Sequence, residues 1–294
     1  MPNFKIISDS SCDMAPELVK KYDVHVVPFE VTLDDGKTYL KERIDITPLA
    51  FHKQLRANPN ITPKTSLPSI QAYTDAFRPY LEAGMDILCV NITAKFSGSH
   101  QSAQNAASLL REDFPDRRIV VYNSWLCTGS QCALITEIDR MKKDGLELDA
   151  ILAKCDKMRA QSRIFVTVDT LHYLQKGGRI GKVSALAGSL LNIKPIIMFK
   201  DGELMPLSKV RGRKKALEEI VLQLNNAMPE NRDECIAYVM HADEPGDAMD
   251  VGELMRNQYG MKLPFPAFDL GVTIGAHIGP TTLAIGFMPK YETV

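Results

Sequence analysis

The chain has 294 residues, 45% of them hydrophobic, and its 35 Lys and Arg nearly balance 36 Asp and Glu, for a formal net charge of -1. That length suits one large domain or two ordinary ones with a core that needs no staples, and the charge balance excludes a global field that would recruit nucleic acid or an anionic membrane. No run of about 18 apolar residues predicts a membrane-spanning helix, Asp9 arrives too early for a signal-peptide apolar region, and six scattered cysteines without a C-x-x-C pair fit buried thiols in a reducing cytoplasm.

Short apolar runs alternate with longer helical patterns, which predicts an α/β fold built on a mostly parallel sheet. In the first half the strands are expected at Lys5 to Ser8, His25 to Phe29, Ile87 to Asn91 and Ile119 to Tyr122. Helices are expected at Ala15 to Tyr22, Pro48 to Arg56, Ser69 to Leu81, Ser99 to Arg111, Gly129 to Lys143 and Leu148 to Ala160, with Pro79 weakening the last turn of the third. Between Val31 and Leu40, Asp35-Gly36 signals a hairpin at the edge of the sheet. A new strand opens at Ile164, and the expected boundary falls just before it, giving an N-terminal α/β domain over 1–162 and a C-terminal one over 163–294.

The second half reads differently. Thr170 to Gln175 forms a short helix closed by Gly177 and Gly178, and Ile196 to Met205 forms a hairpin turning at Asp201-Gly202, which favours a mixed sheet. A helix over Arg213 to Met228, a strand over Cys235 to His241, a helix over Ala248 to Gln258 and a strand over Thr282 to Met288 complete the pattern.

Several catalytic signatures fail. Gly177-Gly178-Arg179-Ile180-Gly181-Lys182-Val183 lacks both the spacing and the hydroxyl of a P-loop, and no G-x-S-x-G elbow or H-E-x-x-H metal motif occurs, so neither cofactor nor metal is expected. Asp9 and Asp13 fit a loop and a helix N-cap. Lys209-Val210-Arg211-Gly212-Arg213-Lys214-Lys215 is the one strongly basic run; cations at a helix start oppose its dipole, so Lys209, Arg211 and Arg213 are candidates for an acidic partner or a phosphate.

Three hydroxyl- and glycine-rich segments carry the remaining signal: Thr65-Ser66-Leu67-Pro68-Ser69, Ser97-Gly98-Ser99 and Gly275-Ala276-His277-Ile278-Gly279-Pro280. Pro68 suits a first helical turn, whose free N–H groups would point toward Thr65 and Ser66 and attract an anion. Gly98 follows a parallel strand, at the carboxyl end where open α/β sheets place ligands. Converged, these segments form a site rich in neutral donors that holds an oxyanion; ordinary N-capping by Ser69 and Ser99 is the competing reading.

Together with Ser8-Asp9-Ser10-Ser11-Cys12-Asp13, Leu174-Gln175-Lys176-Gly177-Gly178-Arg179-Ile180 and Ile193-Lys194-Pro195-Ile196, these segments and the basic run resemble the DegV family of bacterial fatty-acid-binding proteins along nearly the whole chain. The resemblance implies two α/β domains around one buried long-chain fatty acid. Its carboxylate would be held by Thr65, with Ser66 as neighbour, and by Ser97 in the Ser97-Gly98-Ser99 turn, with His277 and Arg179 at the same end. It also implies presentation of the acid to a fatty acid kinase for phospholipid synthesis, with the basic run as docking surface. Thr93-Ala94 stands where many relatives carry paired serines, and Pro280-Thr281-Thr282-Leu283 replaces a more glycine-rich stretch. The alternative is a lipid hydrolase or acyltransferase using Ser97 with His277.

Overall fold

The computed structural model describes residues 3–33, 36–186 and 192–294. Its first half runs β1 (Phe4–Asp9), α1 (Pro16–Lys21), β2 (His25–Val27), β3 (Glu30–Thr32), β4 (Leu40–Lys41), α2 (Pro48–Ala57), β5 (Lys64–Ser66), α3 (Ile70–Glu82), β6 (Asp86–Asn91), α4 (Ser99–Asp113), β7 (Ile119–Asn123), α5 (Thr128–Lys143) and α6 (Leu148–Gln161). The second half runs β8 (Arg163–Thr167), α7 (His172–Lys176), β9 (Ile193–Lys200), β10 (Glu203–Arg211), α8 (Arg213–Ala227), β11 (Cys235–His241), α9 (Pro245–Tyr259), β12 (Phe268–Asp269), α10 (Val272–Ile278) and β13 (Leu283–Pro289).

In the N-terminal sheet all pairings are parallel, in the order β2-β1-β6-β7. β1 is buried along its whole length and β6 from Ile87 onward, as strands covered by helices on both faces must be. The C-terminal sheet has the order β10-β9-β8-β13-β11-β12, antiparallel except for the β11–β12 pair, hence mixed. The expected hairpin turns at Asp201-Gly202, whose φ values of 52° and 80° match the two left-handed positions of a tight β-turn.

Some elements depart from expectation. Val31 and Leu40 do pair antiparallel, but β3 also accepts β5 on its other side, so these strands form a separate sheet, β4-β3-β5, instead of an edge of the parallel one. Asp35 of the expected turn lies outside the described residues. α10 and β5 were not expected at all. The α3 helix begins at Ile70, capped by the Ser69 hydroxyl accepting from Ala72 N at 3.1 Å, so Pro68 precedes the helix instead of sitting in its first turn.

One hydrophobic cluster runs through both halves, from Phe4, Leu88 and Ile135 to Ile164, Val166 and Met240. Along β8, Ile164 and Val166 join this cluster while Phe165 joins a second one under α8 and α9, the period of two that a strand imposes. Helix α5 packs against β11 and β13 of the mixed sheet, reaches the parallel sheet through Gln131 Nε2 donating to Ser8 Oγ and the Val90 carbonyl, and is buried from Thr128 to Asp139. All six cysteines are free and buried.

Candidate functional site

A cavity opens where the carboxyl ends of the parallel strands meet the face of the mixed sheet. Phe29 after β2, Ile92 and Ser97 after β6, and Cys127 and Thr128 after β7 line one side, at the position where β1 and β6 diverge to opposite neighbours. Ile164 and Val166 of β8, Phe199 of β9 and Ala284 of β13 line the other, and α10 closes the roof with Thr273, Ile274, His277 and Ile278. The space between these residues, its open mouth included, measures about 890 Å³.

Three of the threonines in this wall bond their hydroxyls to groups outside it. Thr128 Oγ1 donates to Asp13 Oδ2 at 2.6 Å, Thr273 Oγ1 to Glu42 Oε2 at 2.5 Å and Thr282 Oγ1 to the Gly279 carbonyl at 2.9 Å. With those polar groups satisfied elsewhere, the wall is apolar in effect.

The cavity is polar where Thr65, Ser97, Gly98, Arg179 and His277 come together. β5 carries Thr65 and α10 carries His277, and Thr65 Oγ1 shares a 2.8 Å hydrogen bond with His277 Nε2. His277 Nδ1 is buried without a partner and faces Gly177, where an added Cβ would stand 2.2 Å away. Burial first, and then the nearby Arg179 charge, lowers the His277 pKa to about 4, so the imidazole is neutral at physiological pH.

Arg179 is placed by the glycine cap of α7. Gly178 takes φ 71°, and Arg179 N donates back to the Leu174 carbonyl at 2.9 Å, closing the helix in the manner of a Schellman motif. Its guanidinium then ties the two halves of the chain, donating to the Phe96 carbonyl from Nε (3.1 Å) and Nη2 (2.9 Å) and to the Gly177 carbonyl from Nη1 (2.7 Å). Ser97 Oγ accepts from Ser99 N at 3.2 Å. This end therefore offers two hydroxyls, a neutral imidazole and a fixed guanidinium: a set suited to an anion. His277 is engaged by Thr65, and none of its described bonds reaches an acid that would orient it as the base of a Ser–His–acid triad.

Two expected contact residues lie elsewhere. Ser66 is not in the cavity wall, because alternation along β5 sends it to the face opposite Thr65. Ser99 is fully buried, with its hydroxyl donating to Asp9 Oδ2 at 2.7 Å and bonding Tyr73 at 2.6 Å, and α4 is capped from Gly98 instead.

Asp13 lies in the loop after β1 as expected, but neither acid caps α1: its N-cap is Ala15, which makes no side-chain bond, and Asp9 is the last residue of β1. Asp9 accepts from Ser11 Oγ, Ser99 Oγ, Asn91 Nδ2, Gln131 Nε2 and Ile92 N, so five donors solvate a buried carboxylate at the end of β1.

The basic run lies away from the cavity. Lys209 and Arg211 are exposed on the edge strand β10, whereas Arg213 at the start of α8 pairs with Asp247 of α9 at 2.7 Å, which accounts for a cation at that helix end. The cavity residues missed from sequence are mostly apolar, such as Phe29, Phe199 and Leu270; a buried wall residue and a core residue give the same signal. Among the described residues no group of three or more His, Cys, Asp or Glu could hold a metal ion, and no helix is long and apolar enough to cross a membrane.

The DegV family model matches residues 3–290. A DegV domain-containing protein of Clostridium perfringens is 32% identical over 289 residues, covering 98% of each chain. Among solved structures, a stearic acid-binding protein from Eubacterium ventriosum is similar with a TM-score of 0.94 and 37% identity, covering 99% of this chain and 100% of its own. A DegV family protein from Thermus thermophilus, described by its fatty acid binding, has a TM-score of 0.87 and 29% identity over 98% of this chain and 99% of its own. DegV of Bacillus subtilis, described as a fatty acid binding protein, has a TM-score of 0.85 and 25% identity over 99% of this chain and 100% of its own.

Proposed function

This chain belongs to the DegV family, and from that premise we propose that it binds one long-chain fatty acid, its tail in the apolar cavity and its carboxylate at Thr65, Ser97 and His277. The observation that carries the reading is the combination of an enclosed apolar wall with a single polar end where Thr65 Oγ1 and His277 Nε2 lie 2.8 Å apart. The relatives that bind stearic acid or other fatty acids support it. Two α/β units, 1–162 and 163–294, would close on the ligand from either side, bridged by Thr93 Oγ1 donating to the Gly202 carbonyl at 3.3 Å.

Magnitudes divide the labour. A dozen buried methylenes at about 0.8 kcal/mol each contribute roughly 10 kcal/mol before ordering costs. Hydrogen bonds to the carboxylate, about 1.5–3 kcal/mol apiece, mostly offset its desolvation and set its direction. The tail supplies affinity and the head supplies orientation.

The bound acid would then be presented in the cytoplasm to a fatty acid kinase that makes an acyl phosphate for phospholipid synthesis, with exposed Lys209 and Arg211 on the docking face. Arg213 is better assigned to the Asp247 pair.

Mass spectrometry of lipid extracted from the purified chain tests the binding step. One equivalent of long-chain fatty acid is expected, with occupancy lowered in Thr65→Val with Ser97→Ala while the melting temperature changes little. A lipid-free chain that also fails to take up oleate ends this reading. The hydrolase alternative would instead show turnover of an activated ester by the purified chain, abolished by Ser97→Ala.

A further inference from the structure

Two buried acids outside the binding site meet at the start of α10. Asp13, in the loop after β1, and Glu42, just after β4, are 1% and 2% exposed. Both reach the same point of backbone: a Cβ on Gly271 would stand 2.2 Å from Asp13 Oδ1 and 2.2 Å from Glu42 Oε1.

Glu42 caps the start of α10 from 230 residues away, accepting from Val272 N, from Thr273 Oγ1 at 2.5 Å and also from Ser10 Oγ at 2.6 Å. Asp13 Oδ2 accepts from Thr128 Oγ1, and Asp13 Oδ1 is buried with no hydrogen-bond partner. Thr128 and Thr273 are both cavity-wall residues, and Thr128 is held at φ 47°, a conformation its branched side chain disfavours.

We propose that Asp13 and Glu42 are positioning residues for the ligand pocket: one proton held between them keeps the first turn of α10 and the Thr128 turn of α5 drawn together, and its loss loosens that wall and speeds ligand exchange. The inference rests on the fatty-acid reading for its consequence but not for the geometry of the pair.

The surrounding charges leave the pair dependent on that proton. Arg43 lies near both acids, yet its Nη2 is bonded to the Asp13 backbone carbonyl at 3.2 Å. The other titratable groups near Asp13 are Cys12, just before it, Cys127, at the N-cap of α5, and Cys132 of α5, whose thiols burial keeps neutral. α10 contributes backbone donors and Thr273 there, its His277 lying at the far end, while α2 brings His52 against Gly275.

Burial first, and then the Glu42 charge, raises Asp13 to about 7, and burial raises Glu42 as well. In a loosened wall the wetted carboxyls ionise near the usual value of about 4. The closed form therefore holds more protons between those limits, and opening grows by up to about tenfold per pH unit across that window, then levels off.

The test uses the full chain loaded with cis-parinaric acid, a fluorescent polyene fatty acid, displaced by excess oleate at pH 5.5 to 8. The expected result is a dissociation rate that rises more than tenfold toward pH 7.5 in the parent, stays flat in Asp13→Asn, and rises at lower pH in Glu42→Gln, where Asp13 has lost its like-charged neighbour. The ligand carboxyl and His277 titrate in all three proteins and cancel in the comparison.

A flat parent, or an unchanged rise in Asp13→Asn, overturns the proposal. Amide hydrogen exchange of residues 272–278 in the lipid-free chain, corrected for intrinsic rates, gives a readout that needs no ligand. Protection that falls with pH in the parent and not in Asp13→Asn supports the pair even if parinarate never binds, an outcome that would sink the fatty-acid reading alone. Parent protection independent of pH overturns the proposal even if neither variant folds.

Discussion

Gly177→Ala isolates the head-group end of the cavity. Gly177 has φ -76° and ψ -5°, a right-handed conformation that alanine adopts without strain, so the effect of the substitution is steric. The new Cβ would stand 2.2 Å from His277 Nδ1 and 3.1 Å from the Tyr173 carbonyl. The carbonyl is held within α7, so the imidazole must give way. Restoring a separation of roughly 3.5 Å moves the ring by more than an ångström, which the 2.8 Å bond between Thr65 and His277 does not survive.

Losing that neutral hydrogen bond costs about 0.5–1.5 kcal/mol of stability, and losing an aligned contact to a carboxylate costs about 1.5–3 kcal/mol of binding, or about ten- to a hundredfold in affinity. Gly178→Ala is the matched control. Gly178 has φ 71° and nothing within 4 Å of an added Cβ, so alanine there costs roughly 1–2 kcal/mol in backbone strain without touching the head group. Fluorescent fatty acid titrations alongside thermal melts separate the two: Gly177→Ala should lose affinity out of proportion to stability, and Gly178→Ala the reverse. Equal affinities in Gly177→Ala and the parent would refute the placement of His277 at the ligand's carboxylate.

Two further outcomes are expected. The His277 pKa is depressed to about 4 in the fold against about 6.5 in the unfolded chain, so the unfolded chain binds the extra proton between those values. The contribution is present above pH 6.5 and is lost as pH falls toward 4. The urea midpoint of the parent should accordingly fall more steeply between pH 7 and 4.5 than that of His277→Gln, and parallel slopes would show that the imidazole titrates normally. Asp13 contributes with the opposite sign in both proteins and cancels. Reversing the exposed charges with Lys209→Glu and Arg211→Glu should leave fatty acid occupancy unchanged and weaken acyl phosphate formation by a fatty acid kinase; undiminished formation would remove β10 from the docking face.

The parallel sheet and the Asp201-Gly202 hairpin were legible because their signals are local: period, apolar density and turn residues lie within a few positions of one another. So were Thr65, Ser97, Gly98 and His277 as candidates, since hydroxyls and glycines bunched beside an apolar run are unusual, whereas Arg179 came only from the family resemblance. Ser66 and Ser99 belonged to the same clusters and were drawn in with them, although strand alternation turns one away and the Asp9 network occupies the other. Sequence spacing alone does not separate such neighbours.

α10 shows most clearly what spacing cannot supply. It is seven residues long and flanked by glycines, with no capping side chain of its own. Its N-terminal N–H is satisfied by Glu42, so its stability comes from a contact across 230 residues. β5 likewise exists because β3 leaves an open edge beside it.

The amino-acid order alone thus determined most of the strands and helices and which side chains are chemically able to grip an anion, because those properties reside in the residues and their near neighbours. Tertiary structure alone decided which hydroxyls face the cavity, that the imidazole there is neutral, and that two distant acids meet under α10, because burial and pairing depend on groups that adjoin only once the chain has folded.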